Sequence, residues 1–143
     1  MGRILALDPG TRRIGLAVSD PTGTLAQPLD AVARRGGQDW AESIASLIEE
    51  LEAVEIVIGL PRHMNGSEGR SAADARQIAE NLRLRTNRPV TLWDERLTTV
   101  AAEKMFRESG ISTRRARRHI DSAAAMLILQ GYLDRQKNKG AEE

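Results

Sequence analysis

The chain contains no cysteine, which excludes a disulfide framework and any thiolate-bound metal and is compatible with a reducing compartment. Two Trp, one Tyr and one Phe are its whole aromatic complement. That is too few to build a platform that stacks bases, so any nucleic-acid binding would rest on backbone and shape recognition. No apolar run approaches the roughly 20 residues needed to span a bilayer, and Met1 leads into a charged residue and a strand pattern instead of a signal peptide. The expectation is a cytoplasmic protein with no membrane partner. There is also no internal repeat and no low-complexity segment. At 143 residues one domain can bury roughly 70% of its unfolded surface, and we expect that domain over residues 1–135, followed by a flexible tail at 136–143.

What the chain has in quantity is arginine. Only three of its 21 basic residues are lysine, although the net charge is just +1. The arginines cluster as Arg12/Arg13, Arg34/Arg35, Arg83/Arg85/Arg88 and Arg114/Arg115/Arg117/Arg118. A planar guanidinium suits bidentate phosphate contacts better than an ammonium does, so these clusters are candidate phosphate-binding patches. The run Ser-Thr-Arg-Arg-Ala-Arg-Arg-His, residues 112–119, is the strongest of them.

The apolar pattern orders the elements. Residues 3–8 and 14–18 read as strands a tight turn apart, and a third strand near 24–27 follows the turn signal Asp-Pro-Thr-Gly. Trp40, Ile44, Leu47, Ile48 and Leu51 recur at helical spacing behind Asp39, a candidate N-cap. The β-branched run 54–61 reads as an interior strand. After it come a polar glycine-rich loop, a helix carrying Ala75, Ile78, Ala79 and Leu82, a strand ending on Asp94 and Glu95, a helix over 98–109 and a last helix carrying Ile120, Ala124, Leu127, Ile128 and Gly131. The fold expected is α/β: a mixed five-stranded sheet, three antiparallel strands and then parallel ones, with helices on both faces.

Asp8 closes the first strand and Glu95 lies just past the last one, where open α/β sheets bind ligands. Asp121 borders the apolar face of the final helix. Carboxylates brought together carry a like-charge cost that a cation removes, and oxygen-only ligation favours Mg²⁺ or Mn²⁺ over zinc. Two such ions about 4 Å apart would suit in-line phosphodiester hydrolysis. Simpler roles compete: Asp8 as a turn residue before Pro9-Gly10, Asp94 and Glu95 as caps or partners of Arg96, Asp121 as a first-turn acid, His63 and His119 as surface residues, Trp93 and Met105 as core.

Four blocks, "LALDPGTRRIGLAVSD", "IVIGLPRHMNGSEG", "DERLTT" and "DSAAAMLILQGYL", lie in order along the chain and together resemble the YqgF/RuvX family of Holliday junction resolvases and pre-16S rRNA nucleases. The resemblance implies a ribonuclease-H-like fold and metal-dependent endonuclease chemistry. It places Asp8, Glu95 and Asp121 at the catalytic positions, with Asp8 shared between two ions. Nucleic-acid contacts are expected from Arg12, Arg13, Arg62, Arg70, Arg96, Thr98, Arg114, Arg115, Arg117 and Arg118. The loop over 62–70, turning at Asn65-Gly66, is expected to fold over the substrate. In the related RuvC resolvases the fourth strand ends on an acid; here it ends "IGLP". The substrate would be branched DNA, pre-rRNA or both, and a junction cut symmetrically would need a homodimer. Two other functions fit parts of the pattern: a non-catalytic nucleic-acid-binding or transcription-associated module, and an actin-like ATPase-type nucleotide binder suggested by "DPGT" after a strand.

Overall fold

Alternation along the first strand sets the architecture. In β1 (Arg3–Pro9) Leu5 and Leu7 point to one face of the sheet while Ile4 and Ala6 point to the other, as the two-residue period of a strand requires. Both faces therefore need cover. The computed structural model describes residues 2–35, 39–97 and 122–142, and over these the cover is helical on each side.

β2 (Arg13–Ser19) pairs antiparallel with β1, and β3 (Ala26–Ala33) pairs antiparallel with β2. Helix α1 (Trp40–Leu51) leads to β4 (Ala53–Leu60), and α2 (Arg70–Thr86) leads to β5 (Val90–Asp94). β4 lies parallel to β1 and β5 parallel to β4, giving the sheet order β3-β2-β1-β4-β5. Glu95–Leu97 forms a short 3₁₀ turn, and the last helix, α3, spans Ala123–Glu142. The expected mixed sheet is thus observed. The third strand begins later and runs longer than the expected 24–27, continuing through Pro28; an edge strand tolerates the missing N–H that would break an interior ladder. The helix expected over 98–109 lies outside the described residues. Backbone of the segment expected as a tail continues the helix α3 to Glu142.

The core divides into two layers. Leu5, Leu7, Ile14, Leu16, Ile56 and Ile58 meet Ile44 and Ile48 of α1 and Ile78 and Leu82 of α2. On the opposite face Ala6, Ala17 and Val57 are smaller and let α3 close onto the sheet through Ala125, Ile128, Leu129 and Tyr132. Each fully buried Leu or Ile contributes roughly 1.5–3 kcal/mol. Asp39 caps α1, its side chain accepting from the amides of Ala41 (3.1 Å) and Glu42 (3.2 Å).

The start of α3 is pinned by Ser122, which is fully buried. The β2–β3 register shifts between Ile14 and Leu16, and the Ser122 hydroxyl fills the gap: it accepts from the Leu16 amide (3.1 Å) and donates to the Leu29 carbonyl (2.6 Å). Ser122→Ala leaves a buried N–H and a carbonyl unpaired, so we expect a loss of about 1–3 kcal/mol in urea unfolding.

Candidate active site

Alternation carries Asp8, after Ala6, to the face covered by α3, and Glu95, in the 3₁₀ turn just past β5, reaches the same face, its carboxyl lying over Gly59 beside Ile128 of α3. Between them lies β4, whose residue at this level is Gly59. A Cβ there would lie 2.6 Å from Glu95 Oε1 and 2.6 Å from Ile128 Cδ1, far inside contact distance. The missing side chain is the space that the Glu95 carboxyl occupies. This accounts for the strand ending "IGLP": the acid that could have stood on β4 is replaced by a gap, and the next strand fills it.

The Asp8 and Glu95 carboxyls lie close enough for a hydrogen bond between them when one is protonated. Burial, then the Asp8 charge, then that bond, then the Asp94 charge push Glu95 up to about 7. Burial also raises Asp8, with the Glu95 hydrogen bond working the other way. Glu95 thus holds a proton that two neighbouring carboxylates need when no cation is present. The donor set is all hard oxygen, the shared proton marks where positive charge is wanted, and the pair fits a divalent cation of the Mg²⁺ type. Among the described residues no three His, Cys, Asp or Glu side chains group to hold a metal. Asp121 lies outside the described residues, as do Thr98, Arg114, Arg115, Arg117 and Arg118.

Arg12 and Arg13 are exposed and line, with Asp8 and Gly10, a cleft of about 440 Å³. Arg70 is exposed at the start of α2. Arg96 is tied to Asp94 through Nε (3.1 Å) and Nη2 (2.7 Å) and donates to the Met64 carbonyl (3.3 Å). Arg62 lies between Glu68 (3.3 Å) and Asp94 (3.7 Å). Asp94 also accepts from the Arg96 amide (2.9 Å), so the pairing with Arg96 considered for it is present, while the expected helix that Asp94 or Glu95 would cap lies outside the described residues. The loop between β4 and α2 is internally bonded, with the Gly66 amide donating to the His63 carbonyl (2.8 Å) and the Asn65 side chain accepting from the Ser67 amide (2.9 Å).

Members of two other arginine clusters take part in ion pairs. Arg83, Arg85 and Arg88 pair with Glu80, Glu42 and Glu49 across the outer surface of α1 and α2, and Arg34 pairs with Asp74. Reading the sequence missed Gly59 and Ser122. A glycine inside a β-branched strand is a signal of close approach, but which group approaches depends on the pairing of β4 with β5. Trp93 is core, as expected, at 7% exposure.

A mixed sheet in this order, with acids at the tips of its first and fifth strands, defines a ribonuclease-H-like fold of the resolvase type. T. thermophilus RuvC in complex with a Holliday junction substrate superposes with a TM-score of 0.65 at 12% identity, over 96% of this chain and 97% of that one. The fowlpox virus Holliday junction resolvase gives 0.58 at 12% identity, over 93% and 99%. The chain belongs to the RuvX family, described as Holliday junction resolvase, whose profile matches residues 2–135. A relative in Pelotomaculum thermopropionicum, named "Putative pre-16S rRNA nuclease", is 48% identical over 94% of this chain and 88% of its own length. One of the same name in Halalkalibacterium halodurans is 47% identical over 96% and 99%.

Two outcomes follow from the geometry. Gly59→Ala should displace the Glu95 carboxyl and the Ile128 Cδ1 methyl, both tips of flexible side chains, and so lower the urea midpoint only slightly, by about 1 kcal/mol or less, at unchanged slope. In EDTA the native state holds more protons than the unfolded chain between the ordinary Glu value of 4.5 and about 7. Stability should therefore fall as pH rises through that window, and Glu95→Gln should flatten the slope of Tm against pH.

Proposed function

We propose that this chain is a divalent-metal-dependent endonuclease hydrolysing phosphodiester bonds in structured nucleic acid, either at the 5′ end of pre-16S rRNA or in branched DNA. The observation that carries the reading is the half-buried Asp8–Glu95 pair, pressed together over Gly59 at the carboxyl ends of the parallel strands. Asp8 and Glu95, joined by Asp121, would hold Mg²⁺ or Mn²⁺. When bound, such ions supply charge neutralisation and Lewis-acid stabilisation of a phosphodiester in in-line displacement. The anchoring of Ser122 to β2, one residue after Gly15, the partner of Asp8, supports Asp121 as the third acid.

The chain's own groups do the positioning. Asp8 is held on a strand paired on both sides, which matters because a displacement of about 1 Å can cost on the order of 10²-fold in rate. Arg12 and Arg13 would bind phosphates beside Asp8, and Arg70 with Arg114, Arg115, Arg117 and Arg118 would extend that contact along the backbone. Arg62 and Arg96, held by Asp94, would orient the loop over the cleft, and Thr98 would approach the same side. Cutting a junction symmetrically calls for a second copy of the chain, whereas trimming an RNA end calls for one site.

The test is cleavage of a labelled four-way junction and a labelled pre-16S 5′ fragment in Mg²⁺, Mn²⁺ or EDTA. Asp8→Asn, Glu95→Gln and Asp121→Asn should each lower metal-dependent cutting by on the order of 10²-fold or more while binding persists. The substrate cut decides between the two processes. Binding with no cutting, indifferent to metal and to all three substitutions, would replace the nuclease with a binding module. In the same assays Arg12→Ala should weaken binding of both substrates and lower the slope of log affinity against log salt by about 0.7–0.9.

A further inference from the structure

The Arg34 side chain is only 18% exposed, and its guanidinium meets partners from three parts of the chain. Nη1 and Nη2 hold the two oxygens of Asp74 on α2 at 2.7 and 2.9 Å. Nη1 also donates to the Gly10 carbonyl at 2.9 Å, and Cζ lies 5.4 Å from the centre of the Trp40 ring at the start of α1, within cation–π range. Its backbone amide donates to the Arg12 carbonyl at 2.9 Å. A cation so occupied is not offered to a phosphate.

Gly10 and Arg12 belong to the turn that joins Asp8 to Arg13. That turn is tight: the Gly10 amide donates to the Arg13 carbonyl at 2.9 Å, and a Cβ on Gly10 would lie 2.5 Å from that same oxygen. One side chain therefore ties the turn between Asp8 and Arg13 to both helices on the opposite face of the sheet. We propose that Arg34, oriented by Asp74, is a positioning residue that fixes the β1–β2 turn and through it the relative placement of Asp8 and the Arg12/Arg13 pair; its catalytic consequence rests on the nuclease reading above.

Arginine is required here because its planar fork serves two carboxylate oxygens and a carbonyl at once, which a lysine ammonium cannot reproduce. The experiment compares full-length wild type with Arg34→Met, Arg34→Lys and Asp74→Asn. In metal-free protein, amide hydrogen exchange at Gly10 should quicken by about tenfold in Arg34→Met while Leu5–Leu7 amides keep their protection. In the cleavage assay kcat should fall by about tenfold or more with KM within about twofold, and Arg34→Lys should recover part of the loss. Wild-type exchange at Gly10 in Arg34→Met would overturn the proposal, as would exchange that quickens equally across β1, the mark of a merely structural role. If Arg34→Met fails to fold, Arg34→Lys and Asp74→Asn carry the same comparison at smaller amplitude. Absence of cutting by wild type in every metal would sink the nuclease reading alone, because the Gly10 exchange still decides whether Arg34 fixes the turn.

Discussion

Two carboxyl groups held side by side without a compensating charge are the constraint around which this molecule is arranged. Asp8 and Glu95 come from strand ends separated by a whole intervening strand, and they meet only because that strand carries glycine at the crossing point. Left alone, the pair keeps a proton, since burial and mutual repulsion both disfavour double ionisation. A hard divalent cation in place of that proton would turn an electrostatic liability into a binding site. The ladders on both sides of β1 fix the backbone that carries Asp8.

The surroundings are organised to protect this arrangement from two directions. On one face, Ser122 bridges the irregularity in the β2–β3 ladder and fixes the beginning of α3 against the sheet. On the other, Arg34 and Asp74 fasten the turn that follows Asp8. Asp94, next to Glu95 in sequence, gathers Arg62 and Arg96 and so ties the loop after β4 to the end of β5. The acids thus sit in a frame whose polar connections run between elements far apart in the chain. Exposed ion pairs on the outer helices, such as Arg83 with Glu80, do little by comparison, because solvent screens them.

Much of this was legible from residue order. The period-two alternation in β1, the β-branched run of β4 and the Asp39 cap each follow from local pattern, and the sheet topology follows from the alternation of strands and helices. The match of four motif blocks identified the candidate acids at once. Arginine was harder to read. Arg12 and Arg34 stand in pairs of the same appearance, yet one lines the cleft and the other is enclosed by Asp74, Trp40 and the Gly10 carbonyl. Nothing local distinguishes them, because the difference lies in partners 24 and 40 residues away.

The sequence by itself determined the order of strands and helices among the described residues and the residue types available for chemistry, since these depend on periodicity and on interactions within a few positions. Tertiary structure decided which acids meet, why Gly59 is glycine, and which arginines remain open to a ligand. Those outcomes depend on strand pairing and on the close approach of distant side chains, where a few tenths of an ångström separate a hydrogen bond from a collision.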